Sequence, residues 1–368
     1  MNKGIQLKDN ICKSEDLPKE SKLSAEERKR MDEILAQFPM SITPYYLSLI
    51  DFDDPEDPIR KMAIPSVAET DLSGSFDTSG EANNTVIAGM QHKYPQSVMI
   101  LSTNQCAMYC RHCFRKRLVG LSGDEVARHF GQMRDYISEH KEINNALISG
   151  GDALLNSNER LGEILSMLVK IPHLDTIRIA SRVPVVYPTR ITEDEALVQM
   201  LARYNREKQL TFVTQYNHAR ELTELSLKAI RQIQHAGIPV KNQTVLLKGV
   251  NDDTKVLAQL LHALVAAGIH PYYIFQCRPV SGVKNQFQVP LGEGYEIVRQ
   301  AKKEQSGLGK CFRYCMSHVT GKLEILGPLN GEMLFKYHEA QDARYLGRMF
   351  TKRLRPGQAW LDEETLIP

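Results

Sequence analysis

The stretch Cys106-Ala107-Met108-Tyr109-Cys110-Arg111-His112-Cys113 sets three cysteines in the spacing C-x3-C-x2-C, shortly after the apolar run Val98–Leu101. That run predicts a strand, which makes the cysteines the loop at its C-terminal end. Three thiolates from one loop can hold three corners of a cubane iron–sulfur cluster and leave the fourth iron without a protein ligand. An open iron is a chemical site because it can chelate a small molecule, whereas a cluster with four cysteine ligands serves electron transfer. Zinc is the alternative, with His112 as fourth ligand. Structural zinc sites usually draw ligand pairs from two places, and the chain has no second Cys-x-x-Cys or His pair. Disulfides fit poorly: Cys12, Cys106, Cys110, Cys113, Cys277, Cys311 and Cys315 are odd in number and lack a secreted pattern.

Working outward from this loop, apolar β-branched runs recur at Val98–Ser102, Ala146–Ser149, Thr176–Ala180, Leu210–Thr214, Lys241–Leu247 and Tyr272–Gln276. Amphipathic stretches of helical length lie between and after them: Gly123–His140, Asn158–Lys170, Glu193–Tyr204, Glu221–Ala236, Thr254–Ala267 and Leu291–Glu304. Strands alternating with helices predict a parallel sheet with right-handed crossovers, here an α/β fold with an open, partial (β/α)6 barrel. A doubly wound sheet competes, but no Gly-x-Gly-x-x-Gly loop follows the first strand. Three regions are expected. Residues 1–92 form a helical and irregular N-terminal wrap, with a helix over Ser24–Phe38 opened by a Ser24/Glu27 capping box. Residues 93–290 form the barrel. Residues 291–368 form a C-terminal extension, in which Phe312–Ser317 and Leu323–Leu326 read as short strands around a turn and residues 330–368 as a closing tail. Asp71–Asn84 reads as a mobile loop.

The 368 residues suffice for a catalytic domain with additions. A net charge of +2 argues against a nucleic-acid surface. No apolar run approaches the ~20 residues of a membrane helix, and the polar N-terminus predicts a cytoplasmic protein, consistent with reduced cysteines.

Parallel barrels carry their chemistry at the C-terminal ends of strands. Ser149-Gly150-Gly151-Asp152, Ser181-Arg182, Gln215-Tyr216-Asn217-His218 and Arg278 all fall at such ends. Gly150 and Gly151 allow a backbone to approach a ligand closely, and Asp152 offers a carboxylate to a ligand ammonium; the plain alternative is a tight turn. Gln215, His218 and Gln243 read as polar groups facing one mouth, although a single such group is usually a hydrogen-bonded core residue. Lys322, in a turn, is either simply exposed or a buried Schiff-base lysine; its spacing does not decide.

Thr103–Arg117 resembles the cluster motif of the lysine 2,3-aminomutase family of radical S-adenosylmethionine enzymes. The similarity continues through Leu147–Leu154, Ile177–Thr192, Phe212–Thr223, Lys241–Asp252 and Tyr272–Arg278, and resumes at Gly321-Lys322. The resemblance implies a partial barrel of the radical SAM type and an isomerase that moves an α-amino group to the β-carbon. It implies a 4Fe–4S cluster on Cys106, Cys110 and Cys113, with S-adenosylmethionine contacted by Gly150, Gly151, Asp152, Gln215 and Gln243. It also implies pyridoxal 5′-phosphate as a Schiff base on Lys322, beside Lys93 and Tyr94, although Ser97 stands where the family has an arginine. Arg115 would pair with the substrate α-carboxylate, a geometry suited to a bidentate guanidinium. The implied partners are a small amino acid, a cellular one-electron reductant and further copies of the chain, their number left open.

Lysine-specific members place two aspartates around the substrate ammonium; here those positions are Arg278 and Cys315. A lysine side chain beside Arg278 would bring like charges together in a low-dielectric pocket. The expected substrate is therefore not lysine, and a side-chain carboxylate such as that of glutamate suits Arg278 better. The plain alternative is an Arg278 paired with a neighbouring acid. Two other readings stand beside this one: a family member acting on lysine, another amino acid or a natural-product intermediate, and a non-catalytic zinc-binding barrel.

Overall fold

Alternating apolar and polar positions close to those read from the sequence become six parallel strands in a computed structural model that describes residue 5, residues 7–121 and residues 123–362. The outer ends of the expected wrap and tail lie outside the described residues. The parallel strands are β3 (Ser97–Leu101), β4 (Asn145–Ser149), β5 (Thr176–Ala180), β6 (Gln209–Thr214), β7 (Val240–Leu246) and β8 (His270–Gln276). Each pairs in parallel with its neighbour in chain order. Six long helices follow them in turn: α2 (Phe130–Glu139), α3 (Asn158–Val169), α4 (Glu195–Glu207), α5 (Glu224–His235), α6 (Thr254–Ala266) and α7 (Leu291–Lys303). This is the (β/α)6 arrangement. A doubly wound sheet would reverse its strand order; here the order is sequential throughout.

The sheet is longer than the six strands read from the sequence. On one side β1 (Thr85–Ile87) and β2 (Met90–Tyr94) form an antiparallel hairpin against β3. On the other, β9 (Arg313–His318) is parallel to β8, and β10 (Gly321–Leu329), β11 (Glu332–Ala340) and β12 (Met349–Lys352) continue antiparallel. The sheet thus begins before residue 93, and the expected tail contains two strands. The charged outer face of β11 (Glu332, Lys336) concealed the apolar alternation Met333, Phe335, Tyr337, which is buried. Among the described residues the sheet ends in the edges β1 and β12, so the barrel is open.

Two further differences have local causes. The helix expected over 123–140 begins only at Phe130, because the Ala127 N–H donates to Leu101 O at 2.7 Å and holds that segment along the end of β3. Residues 71–84, expected as a mobile loop, are stitched to the β8 side: Ser75 N–H donates to Pro279 O at 3.0 Å and Gly282 N–H to Asp71 O at 2.9 Å. The wrap begins with α1 (Ala25–Gln37), whose Ser24/Glu27 capping box forms as read. No helix among the described residues is long and apolar enough to cross a membrane.

Candidate active site

The cysteine loop is a guest of its surroundings. Its backbone is held by the wrap, Tyr109 N–H donating to Ser41 O and Arg111 N–H to Met62 O, both at 2.9 Å. The fully buried Arg111 guanidinium donates to Glu69 and to the carbonyls of Phe38 and Pro39. Lys116 donates to Glu69 at 2.6 Å and to Gly282 O at 3.1 Å. One carboxylate with no exposed surface thus ties Arg111 and Lys116 to the rest of the fold.

Cys106, Cys110 and Cys113 line a cavity of about 370 Å³ at the C-terminal ends of the parallel strands. Burial pushes the Cys113 thiol up to about 11, with Cys110 adding to the shift, and holds Cys106 well above the usual thiol range, with Asp152 and the other two sulfurs adding to it. At Cys106 and Cys113 the thiolate form therefore needs a positively charged partner such as iron. Among the described residues no three Cys, His, Asp or Glu side chains converge as a single-ion site requires. His112 does not supply the missing zinc ligand. Its Nε2 accepts from the Gln215 amide at 3.0 Å and the Asn217 amide at 3.3 Å, and burial holds the ring neutral.

The glycines of Ser149–Asp152 meet the cysteine loop itself. Gly151 N–H donates to Thr103 O at 2.6 Å and Asp152 N–H to Gln105 O at 2.8 Å. A Cβ on Gly151 would lie 2.2 Å from Gln105 O, and one on Gly150, at φ +126°, 2.3 Å from Thr103 O. The close approach is therefore between two loops, and both glycines also line the cavity. Asp152 accepts from Leu154 N–H at 3.0 Å and Arg182 N–H at 2.7 Å, bracing the ends of β4 and β5. A Gly151→Ala protein should lose about 1–3 kcal/mol and retain less iron after reconstitution; unchanged melting and iron content would refute the loop contact.

Gln215 and Gln243 face the cavity because Asn242 replaces backbone pairing beyond β6. Its side chain accepts from Tyr216 N–H at 2.7 Å and donates to Tyr216 O at 3.1 Å, so the strands open at the mouth. His218 is not brought there: its Nδ1 accepts from Arg220 N–H at 3.2 Å and caps the following turn.

Lys322, on β10, projects into the same cavity between the rings of Tyr94 and Tyr273, 5.7 and 4.5 Å from its Nζ. It donates at 2.7 Å to Glu339, its direct cross-strand partner on β11. A Cβ on Gly321 would lie 2.3 Å from Glu339 O, so a residue without a side chain is needed beside the lysine. Nearby, Lys93 donates to Ser79 O and His318 O, and burial lowers its ammonium to about 7. Arg178 reaches from β5 to Asn145 Oδ1 at 2.6 Å and Ser97 Oγ at 3.3 Å, leaving its buried Nε without a partner. Arg115 donates to Glu81 at 3.0 Å and to Ser149 Oγ and Gly150 O at 3.3 Å. Arg278 lies over the Phe114 ring at 4.1 Å with its buried Nη1 unpartnered. Glu81, whose charge acts on Arg278, binds Arg115 and Arg117, and among the described residues no carboxylate forms an ion pair with Arg278.

Apart from His218 and Cys315, the residues given a cluster, cofactor or substrate contact from the sequence thus line one cavity. Reading the sequence missed Glu339, Arg178 and Glu81. A charged residue inside the apolar strand Thr176–Ala180 was the available signal for Arg178; Glu339 lay in the stretch read as a tail.

Comparison with known proteins agrees with this geometry. Residues 100–261 match the radical SAM superfamily. A protein of Aquifex aeolicus (strain VF5) is 40% identical over 342 residues, 92% of this chain and 91% of its own length. The L-lysine 2,3-aminomutase of Clostridium subterminale is 40% identical over 82% of this chain and 72% of its own. The glutamate 2,3-aminomutase of Clostridioides difficile (strain 630) is 37% identical over 82% of this chain and 71% of its own. With relatives at this identity along most of its length and a cysteine loop at the mouth of an open six-unit barrel, the chain belongs to the lysine 2,3-aminomutase family of radical S-adenosylmethionine enzymes.

Proposed function

We propose that the protein is an amino acid 2,3-aminomutase whose substrate carries a side-chain carboxylate, glutamate first among the candidates. The observation that carries this reading is Arg278: a buried guanidinium with a free N–H in the cavity that also holds Lys322, Arg115 and the cysteine loop. Relatives named for lysine and for glutamate are similar to this chain at 40% and 37% identity, so identity alone does not choose between them.

The residues fit the family's groups. Cys106, Cys110 and Cys113 would hold the 4Fe–4S cluster, and Gly150, Gly151, Asp152, Gln215 and Gln243 border the space for S-adenosylmethionine. Lys322 would hold pyridoxal phosphate between Tyr94 and Tyr273. The orphaned Nε of Arg178, beside Ser97, supplies a guanidinium where that serine leaves none, and Lys93 adds a second cation. When bound, the reduced cluster and S-adenosylmethionine supply a 5′-deoxyadenosyl radical, and pyridoxal phosphate carries the migrating nitrogen.

The protein's own work is binding, positioning and exclusion of water. Arg115 exchanges Glu81 for the substrate α-carboxylate, and Arg278 takes the side-chain carboxylate with its free N–H. Glu339 accepts from the Lys322 ammonium and fixes Nζ in the cavity between the rings of Tyr94 and Tyr273. Val98, Leu147, Val213 and Val245 line the cavity and keep it apolar around these charges.

The test is anaerobic turnover of protein reconstituted with iron, sulfide and pyridoxal phosphate, given a one-electron reductant and S-adenosylmethionine. Lysine, glutamate, arginine, ornithine and alanine are offered separately and the β-amino isomer is sought by mass spectrometry. A β-isomer from glutamate is expected, with none from Lys322→Ala, which should also lose borohydride-trapped pyridoxal. Absence of any isomer and of trapped pyridoxal in the wild type would overturn the assignment.

A further inference from the structure

We propose that Arg182 sets the reduction potential of the site: its guanidinium, aimed at the sulfur of Cys110, favours the reduced form of the cluster. This rests on the reading of Cys106, Cys110 and Cys113 as cluster ligands and is independent of the assignments of Lys322 and Arg278.

Arg182 ends β5 at the mouth, a position singled out in the sequence but given no role by the reaction. Its Nη1 donates to Cys110 Sγ at 2.7 Å. The other nitrogens are committed elsewhere. Nε donates to Gln215 O at 3.1 Å, and Nη2 to Glu221 at 2.5 Å and to the Tyr46 oxygen at 3.2 Å. Glu221, with no exposed side-chain surface, is itself fixed by Tyr46 OH at 2.7 Å, Asn217 N–H at 2.6 Å and His218 N–H at 3.0 Å. The N-terminal wrap, the end of β5 and the turn after β6 thus hold one guanidinium against one sulfur. Such rigidity exceeds what a strut needs; a strut between wrap and barrel would be complete with Tyr46 and Glu221 alone.

The direction of the effect follows from charge. Reduction adds one electron to the cluster, and its sulfurs share the added negative charge. A hydrogen bond from a cation to a ligating sulfur stabilises that state more than the oxidised one and raises the potential. Glu221 sits behind the guanidinium as counter-charge and opposes the effect from the far side. Removing Arg182's charge should therefore make the cluster harder to reduce, and removing that of Glu221 easier.

The experiment is a redox titration of the full-length protein, reconstituted anaerobically with iron and sulfide, without S-adenosylmethionine. The reduced cluster is counted by electron paramagnetic resonance at poised potentials. Arg182→Gln should show at least a tenfold lower ratio of reduced to oxidised cluster at a fixed potential, a midpoint lower by about 59 mV for a one-electron couple. Arg182→Lys should fall between it and wild type. Glu221→Gln should move the midpoint upward, and it decides the matter if Arg182→Gln takes up no iron. An Arg182→Gln cluster of wild-type iron content and unchanged midpoint would overturn the proposal, as would a Glu221→Gln midpoint that stays put or falls. A wild-type protein that assembles no cluster would overturn the cluster reading itself, a result distinct from an assembled cluster indifferent to Arg182.

Discussion

Glu69→Gln is expected to destabilise the fold by about 3–5 kcal/mol, the usual cost of leaving buried charges without their partner, and to lower the iron retained after reconstitution. Glu69 has no exposed side-chain surface and binds both Arg111 and Lys116, whose side chains are 2% and 5% exposed. Glutamine fills the same space and can still accept a hydrogen bond, so packing changes little. What is lost is the carboxylate these two cations share, and they lie beside the cysteines at 110 and 113. The loop then has two ways out: expose its cations by pulling away from the wrap, or remain and carry the electrostatic cost. Both weaken the site. Urea unfolding and iron analysis of the purified variant check this; a midpoint within 1 kcal/mol of wild type and full iron content would show that the wrap does not clamp the loop.

Wild-type protein is expected to favour glutamate over lysine by roughly a thousandfold in kcat/KM. A lysine ammonium about 4 Å from a guanidinium, at an effective dielectric near 20, is opposed by about 4 kcal/mol, and each 1.4 kcal/mol is about a factor of ten. Among the described residues Arg278 has no ion pair to relieve that repulsion, since both oxygens of Glu81 are taken by Arg115 and Arg117. Cys315, the other position that would face a lysine side chain, is buried, and burial keeps its thiol neutral, so no negative charge waits there either. Arg278→Asp should reverse the sign, lowering glutamate turnover and raising that of lysine. Side-by-side kinetics on both substrates decide it; a wild type that prefers lysine would end the charge argument.

Much of this architecture was legible before any coordinates. The six parallel strands are short runs of Val, Ile, Leu and Thr with helical stretches between them, a local signal strong enough to fix order and connection. The cysteine spacing, Lys322 and Arg278 came from residue type and resemblance, and all reach one cavity. What escaped was set by long-range pairing. Nothing near Glu339 in sequence announces that it faces a lysine seventeen positions earlier; that follows from the register of β10 on β11. His218 misled for the converse reason, since a polar residue at a strand end serves as readily to cap a turn as to meet a ligand. The β1–β2 hairpin stayed hidden because its three-residue first strand is too short to show a period.

The order of the strands has a consequence for how the molecule is made. Each strand of the sheet pairs with the one synthesised just before it, so pairing can follow the growing chain and long-range searches are few. The wall of the cavity that carries Lys322 and Glu339 belongs to the last hairpins. A nascent chain that has reached only β9 contains every cysteine of the loop and the cavity guanidiniums Arg115, Arg178, Arg182 and Arg278, but not Lys322, the residue proposed to hold pyridoxal phosphate. The cavity is therefore closed by Lys322 and Glu339 only after all the parallel strands have been made.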